Sequence, residues 1–182
     1  MGKSVMGIDT STKSLAYCIY SEEGRPVEWG EVFFGGTSLT DRVVTGAQVI
    51  RALKEEHGMF DVDAVSAEQV VFVQNKSAVI ALAYSLGMIL GALGNINVVQ
   101  TVPISWQSSI GNNLLTKAEK DQIKKDNPGK SASWLSNKRR EVRKQRTIDW
   151  VYTKWGITVE SDNVADAFGV GYKGWLDLNE QS

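Results

Sequence analysis

Four carboxylates in this 182-residue chain stand where they could do chemistry together: Asp9 in MGIDTSTKSLAY, Glu68 in SAEQVVFVQN, and Asp162 and Asp166 in SDNVADAFGVG. A carboxylate among apolar neighbours is costly unless it is paired, protonated or bound to a cation. Gathered into one pocket, the four would repel one another, and hard divalent cations such as Mg²⁺ or Mn²⁺ are what such oxygens bind. Each motif taken singly has a plainer reading: Asp9 before Thr-Ser-Thr as an Asx-turn residue, Glu68 as an exposed edge glutamate, and Asp162 as a favourable charge at a helix N-terminus.

The elements that must position these groups are legible in the periodicity. SVMGID is a short apolar strand with Asp9 at its carboxyl end, followed by a turn at Thr10 to Lys13. SLAYCIY and PVEWGEVFF continue as two further strands of an antiparallel meander, whose tip Asp9 faces. Val43, Val44, Ala47, Ile50 and Leu53 recur at helical spacing between Leu39 and a stop at Gly58. DAVSAEQV is the next strand and carries Glu68, with Val65 and Val70 to Val73 beside it. Residues 78–94 are free of charge but too short and too polar for the roughly 20 apolar residues of a bilayer span, so a buried core helix is expected. Its Ala83, Gly87 and Gly91 form a stripe of small residues open to a close neighbour, either the sheet or a second subunit. NVVQTV is a further strand, and Pro103 opens a short helix that ends near Gly111. At the C-terminal end Ser161 is a good N-cap, which places 162, 163 and 166 in the first turns of a helix, with 162 and 166 on one face.

Charge is distributed unevenly. The formal net charge is −1, yet residues 117–154 hold twelve Lys or Arg against five Asp or Glu, a local balance of +7. The rest of the chain therefore carries −8. A basic arm set against an acidic pocket suits a nucleic-acid substrate, because phosphate contacts supply affinity and position. Lys117, Lys120, Lys138, Arg139, Arg140, Arg143 and Lys144 are the candidate DNA contacts. Trp134 among these cations offers a stacking surface, although packing into the core is the expectation for it. Asn127, Pro128 and Gly129 mark a loop within the arm.

The order of elements, βββαβαβα with a final helix, is the ribonuclease-H-like arrangement: an α/β fold with a mixed five-stranded sheet flanked by helices, here with a basic helical arm. GIDTSTKSLAY, AEQVVFVQNKSAVIALAYSLGMILGAL and DNVADAFGVGY, in that order, resemble the acidic motifs of RuvC-type Holliday-junction resolvases, in a form similar to those carried by bacteriophages. The resemblance implies a metal-dependent endonuclease that resolves four-way DNA junctions by paired symmetric nicks, through phosphodiester hydrolysis with two metal ions. It implies Asp9 as bridging ligand, Glu68 completing one ion, and Asp166 with Asp162 or Asn163 completing the other. The cofactor expected is Mg²⁺, with Mn²⁺ able to substitute. A symmetric homodimer follows from matching a two-fold enzyme to a two-fold junction, with the stripe at 83, 87 and 91 near the interface.

This chain departs from the family's pattern twice. Asn163 stands where a further acid is expected, and Gln107 stands in a stretch expected to hold a lysine, a role left to Lys117 or Lys120. Other readings stay open: another nuclease of this fold acting on flaps or structured RNA, or a non-catalytic junction-binding protein. Sugar-kinase and actin-like ATPases share the opening motif but need a second such domain. The expectation is one domain over 1–182, no membrane partner and no nucleotide cofactor. The single Cys18 in a strand, and a fold that starts at once, suit a reducing cytoplasm, that of a host cell if the gene is a phage's. His57, beside Glu55 and Glu56, is expected at the surface.

Overall fold

The chain builds one mixed sheet in which the first strand is central. In the computed structural model, which describes residues 2–57, 60–70 and 75–180, β1 (Val5–Thr10), β2 (Ser14–Tyr20) and β3 (Pro26–Phe33) form the meander. They are followed by α1 (Leu39–His57), β4 (Ala64–Glu68), α2 (Lys76–Leu93), β5 (Asn97–Thr101) and α3 (Pro103–Ser109). The remainder is helical: α4 (Lys117–Asp126), α5 (Ala132–Trp155) and α6 (Asp162–Asn179). The strand order is β3-β2-β1-β4-β5, antiparallel from β3 to β1 and parallel from β1 to β5. This is the expected ribonuclease-H-like sheet.

Both faces of the sheet are covered, which is why β2 is buried at every position. Side chains alternate between faces. Leu15, Tyr17 and Ile19 join Met6, Ile8 and Val65 under α1 and α2, where Ile50, Leu86, Ile89 and Leu93 complete the core. Ala16, Cys18 and Tyr20 point the other way, against Val151 of α5 and Val164, Ala167 and Phe168 of α6. Cys18 is thus a small buried apolar group, as expected of it.

Helix α6 lies directly on β1 and β4 because glycines remove the side chains between them. A Cβ added at Gly7 would stand 2.2 Å from the Gly171 nitrogen and 2.3 Å from the Ala167 carbonyl oxygen. One added at Gly174 would stand 2.3 Å from the Ser66 Cβ. Two buried hydroxyls hold the helix there by donating to its carbonyls: Tyr20 to Phe168 at 2.9 Å, and Ser66 to Val170 at 2.9 Å.

Two packing expectations are corrected. Only five of the eighteen residues of α2 are buried, because α1 and the sheet cover one side of it; Ala83, Gly87 and Gly91 face outward, with Ile80 55% and Tyr84 62% exposed. α2 is also the one helix among the described residues with the length and apolarity of a membrane span. Trp134 is half-buried under the Lys130 ammonium, 5.3 Å from its ring centre, and its neighbour Leu135 enters the interior instead. The basic arm resolves into α4, opened by a capping box between Thr116 and Glu119, and α5, separated by the Asn127-Pro128-Gly129 loop. Gly58, Val71 to Val73 and the His57 side chain lie outside the described residues.

The close approach predicts a contrast between two glycines. Gly7→Ala forces a methyl into helix backbone that cannot yield and should cost about 3 kcal/mol in urea unfolding. Gly91→Ala meets nothing within 4 Å on a helix and should be neutral or stabilising by up to about 1 kcal/mol.

Candidate active site

Topology delivers the first two carboxylates. β1 and β4 are parallel neighbours, so their carboxyl ends open on the same edge of the sheet, and Asp9 and Glu68 stand at those ends. Strand parity puts Gly7 and Asp9, like Ser66 and Glu68, on the face that carries α6. Asp9 and Glu68 line a cleft of about 240 Å³ with Thr10, Gln69, Val70, Leu82 and Leu86. Asp166 is brought to them by the glycine contact, one turn before Val170, and Asp162 stands one turn earlier on the same helix face.

These groups act on one another. Burial, then the charge of Glu68, raises the Asp9 carboxyl to about 7, with Lys144 opposing. Burial, then the charges of Asp9 and Glu68, raises Asp166 to about 7, again against Lys144. Glu68 is raised by burial, countered by the Trp106 indole, which donates to its Oε2 at 2.6 Å. Buried oxygens that repel one another are a donor set for a divalent cation, which removes the repulsion and suits hard ligands. Among the described residues no three Asp, Glu, His or Cys side chains close on a single point: Asp9 and Glu68 line the cleft, whereas Asp166 lines a neighbouring pocket.

The remaining predicted residues divide by role. Asp162 forms an ion pair with Lys144. Asn163 donates to Glu31 Oε1 at 3.0 Å, and Glu31 also accepts from Ser14 at 2.7 Å and Ser161 at 2.9 Å. Burial works to raise the Glu31 carboxyl, but those three hydrogen bonds outweigh it and hold it below the usual range. Glu31 escaped the sequence reading; its signal was a glutamate inside an alternating strand, and the register sets Asp9, Ala16 and Glu31 in one row across the sheet. Asn163 therefore ties the start of α6 to β3.

Lys117 and Lys120 are exposed on α4, and the cation that bears on Asp9 and Asp166 is Lys144 of α5. Gln107 accepts from Arg143 Nη2 at 2.5 Å, and Arg143 also reaches the Asn112 carbonyl at 3.3 Å. Arg140, Arg143 and Lys144, with Gln107, Asn112, Thr147 and Asp166, line a second pocket of about 160 Å³. Lys138 pairs with Glu141 at 3.0 Å, and Arg139 is half-buried.

The family model for the crossover junction endodeoxyribonuclease RuvC matches residues 5–125, two thirds of the chain. The chain belongs to the RuvC family. It is accordingly a metal-dependent, junction-resolving endodeoxyribonuclease by family. The RuvC of Thermus thermophilus, in a structure with a Holliday-junction substrate, is similar over 96% of this chain and 94% of its own, with a TM-score of 0.66 and 15% identity. A second Thermus thermophilus RuvC structure is similar at a TM-score of 0.64 and 15% identity, over 96% and 95% of the two chains. At that identity the likeness speaks to the fold. No match is found among curated proteins. The family match ends within α4, before α5 and the acids of α6.

The raised carboxyls set a pH dependence. Asp9 and Asp166 keep their protons to about pH 7 when folded but only to about pH 4 when unfolded, so the native state binds more protons across that window. Stability of the metal-free protein should then fall by several kcal/mol as pH rises from about 4 to 7, and a divalent cation should restore it above pH 7. Thermal unfolding with EDTA and with Mn²⁺ checks this; Asp9→Asn should raise the metal-free Tm at pH 8 and abolish the metal response.

Proposed function

We propose that this protein resolves four-way DNA junctions as a homodimer, by paired symmetric nicks, with Mg²⁺ held by Asp9, Glu68 and Asp166. The observation that carries the reading is the mutual influence of these three carboxylates, which helps raise Asp9 and Asp166 to about 7, beside a pocket walled by arginine and lysine. The donor set is all hard oxygen, which suits Mg²⁺, with Mn²⁺ as its substitute. When bound, such cations supply an activated water and neutralise charge at the departing 3′ oxygen.

The chain's own groups do the positioning. Trp106 fixes one Glu68 oxygen by its hydrogen bond, and Glu68 lines the cleft. Glu31, Ser161 and Asn163 hold the first turn of α6, and with it Asp162 and Asp166, against the sheet. Asp162 stands beside the ligands, and Asn163 acts through the anchor. Lys138, Arg139, Arg140, Arg143 and Lys144 on α5, with Lys117 and Lys120 on α4, form the phosphate-binding side, where charge positions the backbone without reading sequence.

The dimer reading rests on α2. Val43, Ile80, Ala83, Tyr84, Gly87 and Met88 line an open apolar groove of about 510 Å³, and a Cβ added at Gly87 or Gly91 would meet nothing within 4 Å. Such a face, closed by a second copy, buries what is otherwise an exposed hydrophobic patch. A phage origin and a cytoplasmic site of action complete the proposal.

Two outcomes test it. A labelled four-way junction should be nicked symmetrically with Mg²⁺, and not with EDTA; Asp9→Asn or Glu68→Gln should lower the rate about a thousandfold while junction binding persists, since metal ligands supply several kcal/mol of transition-state stabilisation. Tight binding without cutting in any metal would make it a junction-binding protein, and preference for flaps or RNA another nuclease. Ala83→Arg should sediment as a folded monomer and lose paired nicking; a dimer unchanged by that charge would place the interface elsewhere.

A further inference from the structure

Lys144 belongs to two places at once. Its ammonium is paired with Asp162, on the acidic side, and its side chain also lines the α5 pocket with Arg140 and Arg143. Residues 140, 143, 144 and 147 share one face of α5, so three cations are presented to the same hollow, with Asp166 forming its opposite wall. Arg143 is fixed there by Gln107 and by the Asn112 carbonyl, whereas the polar partner of Lys144 is the half-buried Asp162 carboxylate. The Lys144 side chain is 52% exposed, so it has room to turn.

The pocket is also built to receive something polar. Asn112 is 3% exposed, its amide donates to the Arg143 carbonyl at 2.8 Å and to the Thr147 hydroxyl at 3.0 Å, and its Oδ1 is left without a partner. The Arg143 Nε is likewise buried and unpartnered. Buried polar atoms are nearly always satisfied in a working state. An arginine Nε donor beside a lysine and a second arginine suits a phosphate oxygen, with an ordered water serving the Asn112 acceptor.

Resting on the nuclease reading above, we infer that Lys144 is a two-position cation. Without DNA it pairs with Asp162 and serves as counter-ion to the carboxylates. With metal and junction bound, it turns into the α5 pocket and binds a backbone phosphate beside Arg140 and Arg143. The metal and the lysine compete for the same negative charge, so metal binding releases Lys144 to the DNA. Lys144 is on this account a positioning residue, coupling metal loading to phosphate capture.

The test compares wild type, Lys144→Met and Lys144→Arg, with folding checked by circular dichroism. Mn²⁺ is titrated by calorimetry into DNA-free protein, and junction affinity is measured against salt with Ca²⁺ present and the junction verified intact. Lys144→Met should bind Mn²⁺ about three- to tenfold more tightly, because a competing cation has gone, and should bind the junction several-fold more weakly with a salt slope lower by about one phosphate contact. Lys144→Arg should keep the wild-type junction affinity. Mn²⁺ affinity unchanged or weakened in Lys144→Met, or an unchanged junction salt slope, would overturn the two-position assignment while leaving the nuclease reading intact. Wild-type protein whose Mn²⁺ binding is absent, or indifferent to Asp9→Asn, would instead overturn the nuclease reading itself.

Discussion

The site depends on the contact of helix α6 with the central strand. Gly7 and Gly171 let the two backbones touch, and Gly174 does the same against Ser66 of β4. Without that approach Asp166 would stand a side chain's width further from Asp9 and Glu68, and the carboxylates would belong to separate surfaces. Tyr20 and Ser66 then spend their buried hydroxyls on α6 carbonyls, so the helix is fixed along its axis as well as pressed down. Glu31 completes the fixation at the helix's first turn, with three donors converging on one carboxylate. Packing in this protein is arranged around keeping four acids in register.

That arrangement works against stability. Two carboxyls raised to about 7 are groups the fold holds in an environment that disfavours their charge. Functional sites commonly carry such a cost, met by the rest of the structure. Here the compensation is visible: a strand buried along its whole length, an aromatic cluster of Tyr20, Trp150, Trp155, Phe168 and Tyr172 behind α6, and Lys144 beside the acids. The basic segment 117–154, +7 by sequence, meets the acids of α6 where α5 packs against α6. The small net charge thus conceals a strong local field on each side of the site.

Much of this was legible in the residues. The strands, α1 and the acid-bearing ends of β1 and β4 followed from periodicity, because a sheet buried on both faces leaves continuous apolar runs that stop abruptly at a functional side chain. Family and fold followed from three motifs in order. What escaped was set by tertiary contacts with no local signature. Nothing near Lys144 in sequence marks it as the cation of the acidic site, since eighteen residues and a change of helix separate it from Asp162. Glu31 is one glutamate among the alternating residues of PVEWGEVFF, and only the register aligns it with Asp9. Trp134 and α2 were assigned to the interior on composition, and it is the direction of each helix face, decided by what packs beneath it, that turned them outward.

The central claim is that Asp9, Glu68 and Asp166 form the metal site of a junction resolvase. Anomalous scattering from Mn²⁺ in crystals of the protein bound to a four-way junction tests it most directly. The account predicts peaks at the mouth of the cleft, within bonding distance of Asp9 and Glu68 and with Asp166 turned to meet them, next to a junction phosphate. Mn²⁺ bound away from these three carboxylates, at a concentration that supports cleavage, would contradict it.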